Sequence, residues 1–301
     1  MTMNHRSPKL FWIESISLKG SITPVVMPNV LLFGLITLII CAADHFVEYL
    51  FDTKMGIEIG PHEVAGAFLG LLLILRTNAG YDRWWEARKL WGGIVNQSRN
   101  LVISGLSYGP DDAGWQKEFA RWVAATSFVF RISLRGCREC EHLEEILGKE
   151  EAAKVFSAEH MPTYALEKLA SLLREAREKG MDSYAFLQVD EQRALLMDHI
   201  GACERILKTP LPGVYSIKIR RLILLFFLTL PFALMHKLDT DWLIPLVIML
   251  VAYPVLSLDQ IGIELQNPFK QTHMNHLPLR EICLTISKNA RQALEQKQPP
   301  A

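Results

Sequence analysis

Residues 68–101 read FLGLLLILRTNAGYDRWWEARKLWGGIVNQSRNL. With the preceding Val64-Ala-Gly-Ala they begin as an apolar run that ends at Leu75. They continue without a proline into a stretch dense in Arg, Trp, Glu and Lys. Tryptophans suit a membrane interface, and Arg76, Arg83, Glu86, Arg88 and Lys89 suit ion pairs in water. The pattern predicts one helix that leaves a bilayer as a single piece. Ala67, Leu71 and Leu75 recur at i, i+4 and i+8 and share one face. Gly66 and Gly70 form a GxxxG beside them, which lets helix backbones approach closely. Spacing alone favours simple packing between two spans.

Outward from this stretch, three more apolar segments stand out: Val25 to Ala43, Leu222 to Met235 and Trp242 to Leu258. A helix of the first segment's length spans roughly 28 Å, close to a bilayer core. The run Val64 to Leu75 is short for a span. Pro231, Pro245 and Pro254 lie within the last two segments, where membrane helices tolerate them. Arg6, Lys9 and Lys19 precede the first segment, Arg76 to Lys89 follow the second, Lys218, Arg220 and Arg221 abut the third, and Lys270 and Arg280 follow the fourth. The loops between one and two (Asp44, Glu48, Asp52, Glu58 against Lys54) and between three and four (Lys237, Asp239, Asp241) are not basic. Basic loops stay inside, so both termini and the middle of the chain are expected in the cytoplasm.

Half of the residues are apolar and 21% are charged, with a formal net charge of zero. Nothing suggests bulk binding to nucleic acid. The five cysteines, Cys41, Cys137, Cys140, Cys203 and Cys283, are odd in number and irregularly spaced, which argues against a disulfide framework. Cys137 and Cys140 form a CxxC, but a zinc site needs two more ligands at matching spacing. The pair reads as reduced thiols on a helix. Residues 1–23 are polar and mixed, without a cleavage site after an apolar run, so the apolar segments are expected to persist.

The middle, Arg76 to Ile219, mixes charges and apolar residues at helical spacing and lacks strand signals. Glu139, Glu141, Glu144, Glu145, Glu150 and Glu151 read as a solvated helix face. In KTPLPG, Pro210, Pro212 and Gly213 must end the preceding helix. The stretch after Arg291, rich in Gln and Pro, is expected to be disordered.

The run Phe68 to Leu101 resembles the bestrophin family, most of all its bacterial members. GACERILKTPLPGVYS, Gly201 to Ser216, and GIELQNPF, Gly262 to Phe269, are similar to that family's segments leading into the third span and following the fourth. The resemblance implies a homopentamer around a central pore lined by the second span. Three apolar residues per subunit make its neck, the last just before the Arg that closes the apolar run. That Arg is here Arg76, and the neck positions are Ala67, Leu71 and Leu75. The usual isoleucine and phenylalanine are bulkier, so this pore is expected to be wider, particularly at Ala67. Five copies of Leu71 and Leu75 would offer no polar group to replace an ion's water, a constriction that gates by dewetting. The resemblance thus favours pore lining over packing. It also implies a second aperture at the cytoplasmic mouth, near Gln192 by offset from Arg205. Eukaryotic relatives bind calcium just after Asn-Pro-Phe through a run of acids. Here Lys270 to His276 supplies no carboxylate, so gating is expected not to use calcium there. His273 and His276 are read as incidental. The bacterial resemblance points to monovalent cations, with chloride as the alternative.

The expected fold is all-α, with four transmembrane helices per subunit and a cytoplasmic helical bundle. Residues 1–23 form an N-terminal cytoplasmic segment and 24–76 carry helices one and two with the neck. Residues 77–219 form the cytoplasmic helical region, 220–260 carry helices three and four, and 261–301 form a cytoplasmic tail. The partners expected are inorganic ions, the lipid bilayer of a bacterial inner membrane and other copies of the chain, with no cofactor and no metal. No GxSxG, HExxH, P-loop or GxGxxG is present, so an enzyme is not expected. A carrier would call for intramembrane acids, and Asp44 and Asp259 read as interface charges. A carrier or a non-conducting scaffold remains the alternative.

Overall fold

The computed structural model describes residues 12–13, 15–18, 20–53, 56–137, 141–238, 240–272, 274 and 276–297. Lys54, Glu139, Cys140, Asp239, His273 and the basic residues before Lys19 inclusive, on which parts of the charge, thiol and histidine readings rest, lie outside them. The described residues carry helices and no strands. They are α1 Thr23–Phe51, α2 Gly60–Tyr108, α3 Ala113–Arg135, α4 Glu141–Leu147, α5 Lys149–Ser157, α6 Met161–Glu178, α7 Ser183–Lys208, α8 Gly213–Lys237, a 3₁₀ turn Asp241–Leu243, α9 Ile244–Gln266 and α10 Leu279–Lys297. The chain divides into two compact units, one of residues up to Asp82 with Leu211–Gln266, the other of Arg83–Pro210 with residues from Asn267 on.

In the first unit α1 packs on α9 and α8. Its buried residues, Val26, Val30, Phe33, Thr37, Cys41 and Asp44, recur at three- and four-residue steps, the stripe of a helix with one covered face. Gly34 makes the contact with α9 close: a Cβ there would sit 2.7 Å from Met249 Sδ. The Thr37 hydroxyl donates to the Phe33 carbonyl at 2.8 Å, which satisfies it inside the apolar layer. Pro28, Pro231 and Pro254 lie inside α1, α8 and α9, whereas α2 is unbroken past Pro61 in its first turn.

Among the described residues, three helices are long and apolar enough to cross a membrane: α1, α2 and the segment Asp241–Gln266. This is a membrane protein. The fourth expected span, Leu222 to Met235, lies in α8, between Lys218, Arg220 and Arg221 at one end and His236 and Lys237 at the other. α1 runs further than its apolar core predicts. Asp44 and Glu48 belong to the helix rather than to the following loop, and Asp44 is only 1% exposed. Phe46, Tyr49, Leu50 and Phe51 carry the helix on, and it stops where Asp52 turns left-handed at φ 53°.

In the second unit α3 is the central element, buried from Trp122 to Phe130 on every side. Asp112 caps its start, its carboxylate accepting from the Gly114 and Trp115 backbone N–H groups. Gly136 ends it at φ 67°. α3 packs against α10, α6 and α4. Trp115 stacks on Phe119 with centroids 4.9 Å apart, and its indole N–H donates to the Leu172 carbonyl at 2.8 Å. The KTPLPG stretch does what its prolines require: α7 stops at Lys208 and α8 starts at Gly213. The last carbonyls of α7 are not left bare, because the Arg83 guanidinium donates to those of Ile206 and Thr209.

Two readings of this unit change. The chain after Arg291 is not disordered as expected: α10 continues to Lys297. Ala290 is buried and Ala293 and Leu294 pack against the same core, so apolar burial outweighs the polar composition; residues 298–301 lie outside the description. The acidic cluster is a solvated face at Glu141, Glu145 and Glu150. Glu151 is instead half-buried, 2.8 Å from Lys168 and within reach of Lys154 and the Tyr164 hydroxyl. Lys168 holds its pKa down at about 2.

Candidate functional site: the apolar stripe of helix α2

Leu69, Leu73, Arg76 and Gly80 form the covered face of α2 in the first unit, with Leu69 at 4%, Leu73 at 1% and Arg76 at 1% exposure. Val64, Ala67, Leu71, Leu75, Asn78 and Asp82 lie on the opposite face, and all are exposed. Leu71 and Leu75 keep 53% and 52% of their surface free. The three residues expected at a neck are thus gathered on one bare stripe of a single helix. On a helix apolar enough to cross a membrane, such a stripe faces lipid, another copy of the chain or a pore.

The two glycines beside the stripe differ. A Cβ at Gly66 would touch the Phe226 ring at 3.4 Å, so α8 approaches α2 there; at Gly70 nothing lies within 4 Å. The first turn of α2 is tied to α8 by His62, whose Nε2 lies 3.0 Å from the Thr229 hydroxyl.

Behind the stripe sits an ion cluster. Arg76 Nη1 donates to Asp259 Oδ1 of α9, and Nη2 donates to the Ser216 hydroxyl of α8 at 3.1 Å. The second oxygen of Asp259 accepts from Arg220 Nε at 3.3 Å. Arg76 Nε is buried without a hydrogen-bond partner among the described residues. The cluster corrects the reading of Asp259 as an interface charge: its side chain is 8% exposed. A buried carboxylate needs a partner, and its partner is 183 positions away in sequence, beyond any local pattern. Gly262 makes room for this arginine, since a Cβ there would stand 3.3 Å from Arg76 Cγ. One turn further along α2, a Cβ at Gly80 would stand 3.0 Å from the Gly262 carbonyl oxygen.

The second unit holds the remaining candidates. Gln192, on α7, is half-buried, and its amide oxygen has no hydrogen-bond partner among the described residues. Cys137 is exposed; Cys203 and Cys283 are buried. Burial pushes the Cys203 thiol up to about 12. Asn267 accepts from the Phe269 N–H at 3.2 Å, and the Phe269 ring is fully buried, so Asn-Pro-Phe forms a turn anchored by its aromatic ring. Among the described residues no three His, Cys, Asp or Glu side chains come together as metal ligands would.

Residues 1–292 match the family described as Bacterial/Fungal Bestrophin protein. The voltage-dependent anion channel-forming protein alr2987 of Nostoc sp. is 32% identical over 93% of this chain and 91% of its own length. The voltage-dependent anion channel-forming protein YneE of Escherichia coli is 32% identical over 83% and 82%. Among solved structures, a bacterial bestrophin homologue from Klebsiella pneumoniae superposes with a TM-score of 0.80 and 26% identity, covering 89% of this chain and 98% of that one. The Nostoc and Escherichia coli relatives are named as channel-forming proteins and not as enzymes. With the match running almost end to end in both sequence and fold, the chain belongs to the bacterial/fungal bestrophin family.

Proposed function

We propose that the protein is an ion channel whose neck is lined by Ala67, Leu71 and Leu75 of α2. The observation that carries the reading is the bare apolar stripe, on the face of α2 turned away from its own unit. Exposed leucines at helical spacing would become rings if copies of the chain stood around an axis. Rings of leucine offer an ion no substitute for its water and conduct only when wetted. The proposal includes a homopentamer with four spans, α8 supplying the fourth. It places the second unit and both termini in the cytoplasm of a bacterium, with the spans in the inner membrane, a reading supported by the three basic residues Lys218, Arg220 and Arg221 near the start of α8.

For the sign of the ion, the relatives' names favour anions, and the expected preference for cations finds no support there. One feature of the chain favours cations as a second reading: exposed Asp82 follows Leu75 by seven positions on the same face.

The test is single-channel recording of the purified protein in a planar bilayer under a salt gradient. A current reversing near the anion equilibrium potential is the expected result; reversal near the cation value keeps the pore and moves its selectivity to the second reading. Leu71→Ala and Leu75→Ala should raise conductance or open probability. If neither alters the current, another face lines the pore. Silence from an intact oligomer would favour a carrier or scaffold.

A further inference from the structure

We infer that Arg76 and Asp259 are positioning residues for the neck, fixing the rotation of α2 about its own axis so that Leu71 and Leu75 stay on the bare stripe. The inference rests on the proposed neck. Consecutive side chains on a helix point about 100° apart, so the direction of Arg76 determines that of its neighbour Leu75. Three helices meet at the Arg76 guanidinium: α2 supplies it, α9 supplies Asp259 and α8 supplies Ser216. The second oxygen of Asp259 is held by Arg220 of α8, so the carboxylate cannot follow α2 without breaking a second charged contact. Planar guanidinium bonds are directional, unlike the apolar contacts of Leu69 and Leu73, which would tolerate some rotation. The glycine contacts remove the remaining latitude. The Arg76 stem lies across Gly262, and Gly80 faces the Gly262 carbonyl, so α2 and α9 come close one turn beyond the pair, at Gly262. Any turn of α2 that takes Leu75 off the stripe carries Arg76 away from Asp259 and leaves the buried guanidinium without its carboxylate.

The test maps the stripe by thiol modification during recording, in the full chain with Cys137 and Cys140 changed to serine. Leu71→Cys and Leu75→Cys should be blocked by a methanethiosulfonate reagent, while Leu72→Cys, on the flank, should react slowly. Adding Asp259→Asn or Arg76→Gln should speed block at position 72 severalfold and slow it at 75. Arg76→Lys, which keeps the charge, should preserve most of the original pattern. Should the neutralised variants fail to assemble, Ser216→Ala and Arg220→Gln, which loosen the cluster without breaking the pair, should shift the pattern the same way by less. An unchanged pattern in the variants that assemble would overturn the inference and leave the neck standing. No block at 71 or 75 in the parent chain would overturn the neck itself.

Discussion

A thiol such as Cys203 acts as a nucleophile only when it ionises, and burial holds it protonated, with a pKa near 12. Cys137 is exposed. An alkylating reagent at about pH 8 should therefore label Cys137 and spare Cys203 until denaturant unfolds the second unit, as mass spectrometry of the peptides would show. Because the folded pKa lies above the unfolded one, the contribution of Cys203 to stability is complete below the ordinary thiol range and is lost as pH rises towards 12. Glu151 behaves in the opposite sense. Its pKa is lowered to about 2 by Lys168, so its contribution is present above the ordinary value of 4.5 and fades as pH falls to about 2. Glu151→Gln should lower the melting temperature at neutral pH, and the difference from the parent chain should close on acidification. At this scale the sequence was an uneven guide. Ala67, Leu71 and Leu75 could be placed on one face by counting, but the choice between lining and packing came from the resemblance. Asp259 was misread because the partners that make it buryable, Arg76 and Arg220, are distant in sequence. Breaking such a buried pair costs about 3–5 kcal/mol, so Asp259→Asn should lower the thermal stability of the detergent-solubilised protein sharply, whereas Asp52→Asn, at an exposed helix end, should change it little.

Among the elements, the continuous α2 was foreseen from an apolar run that passes directly into a stretch dense in Trp and charges. The end of α7 was foreseen from Pro210 and Pro212. Both are local decisions, taken by backbone chemistry within a few residues. The errors lie where packing extends a helix past its hydropathy: α1 through Asp44 and Glu48, and α10 through Lys297. Within the second unit, Gly105 of α2 is another such long-range feature. A Cβ there would run into the Phe119 ring, itself stacked on Trp115 and so unable to yield. Gly105→Ala should destabilise the protein by about 1–3 kcal/mol through overpacking, although alanine is the better helix former. A melting curve shifted upwards instead would mean that the aromatic pair can move aside.

For the whole molecule, the bare stripe of α2 needs either lipid or another copy of the chain. Mild detergent extraction followed by a detergent-corrected mass should give five chains. A monomer or dimer would count heavily against the neck, since too few copies cannot close a ring. The distribution of proline within the first unit has a mechanical meaning of its own. Each proline removes one rung of the backbone ladder and weakens the helix at that point. α1, α8 and α9 each contain such a point, at Pro28, Pro231 and Pro254, and the helix with the stripe has none past its first turn. Bending stiffness is therefore unequal: the helices behind can flex like jointed struts, while the one bearing Leu71 and Leu75 behaves as a stiff strut. A load on the proposed neck would reach it as displacement of that strut, with the compliance supplied by the prolines of the other helices.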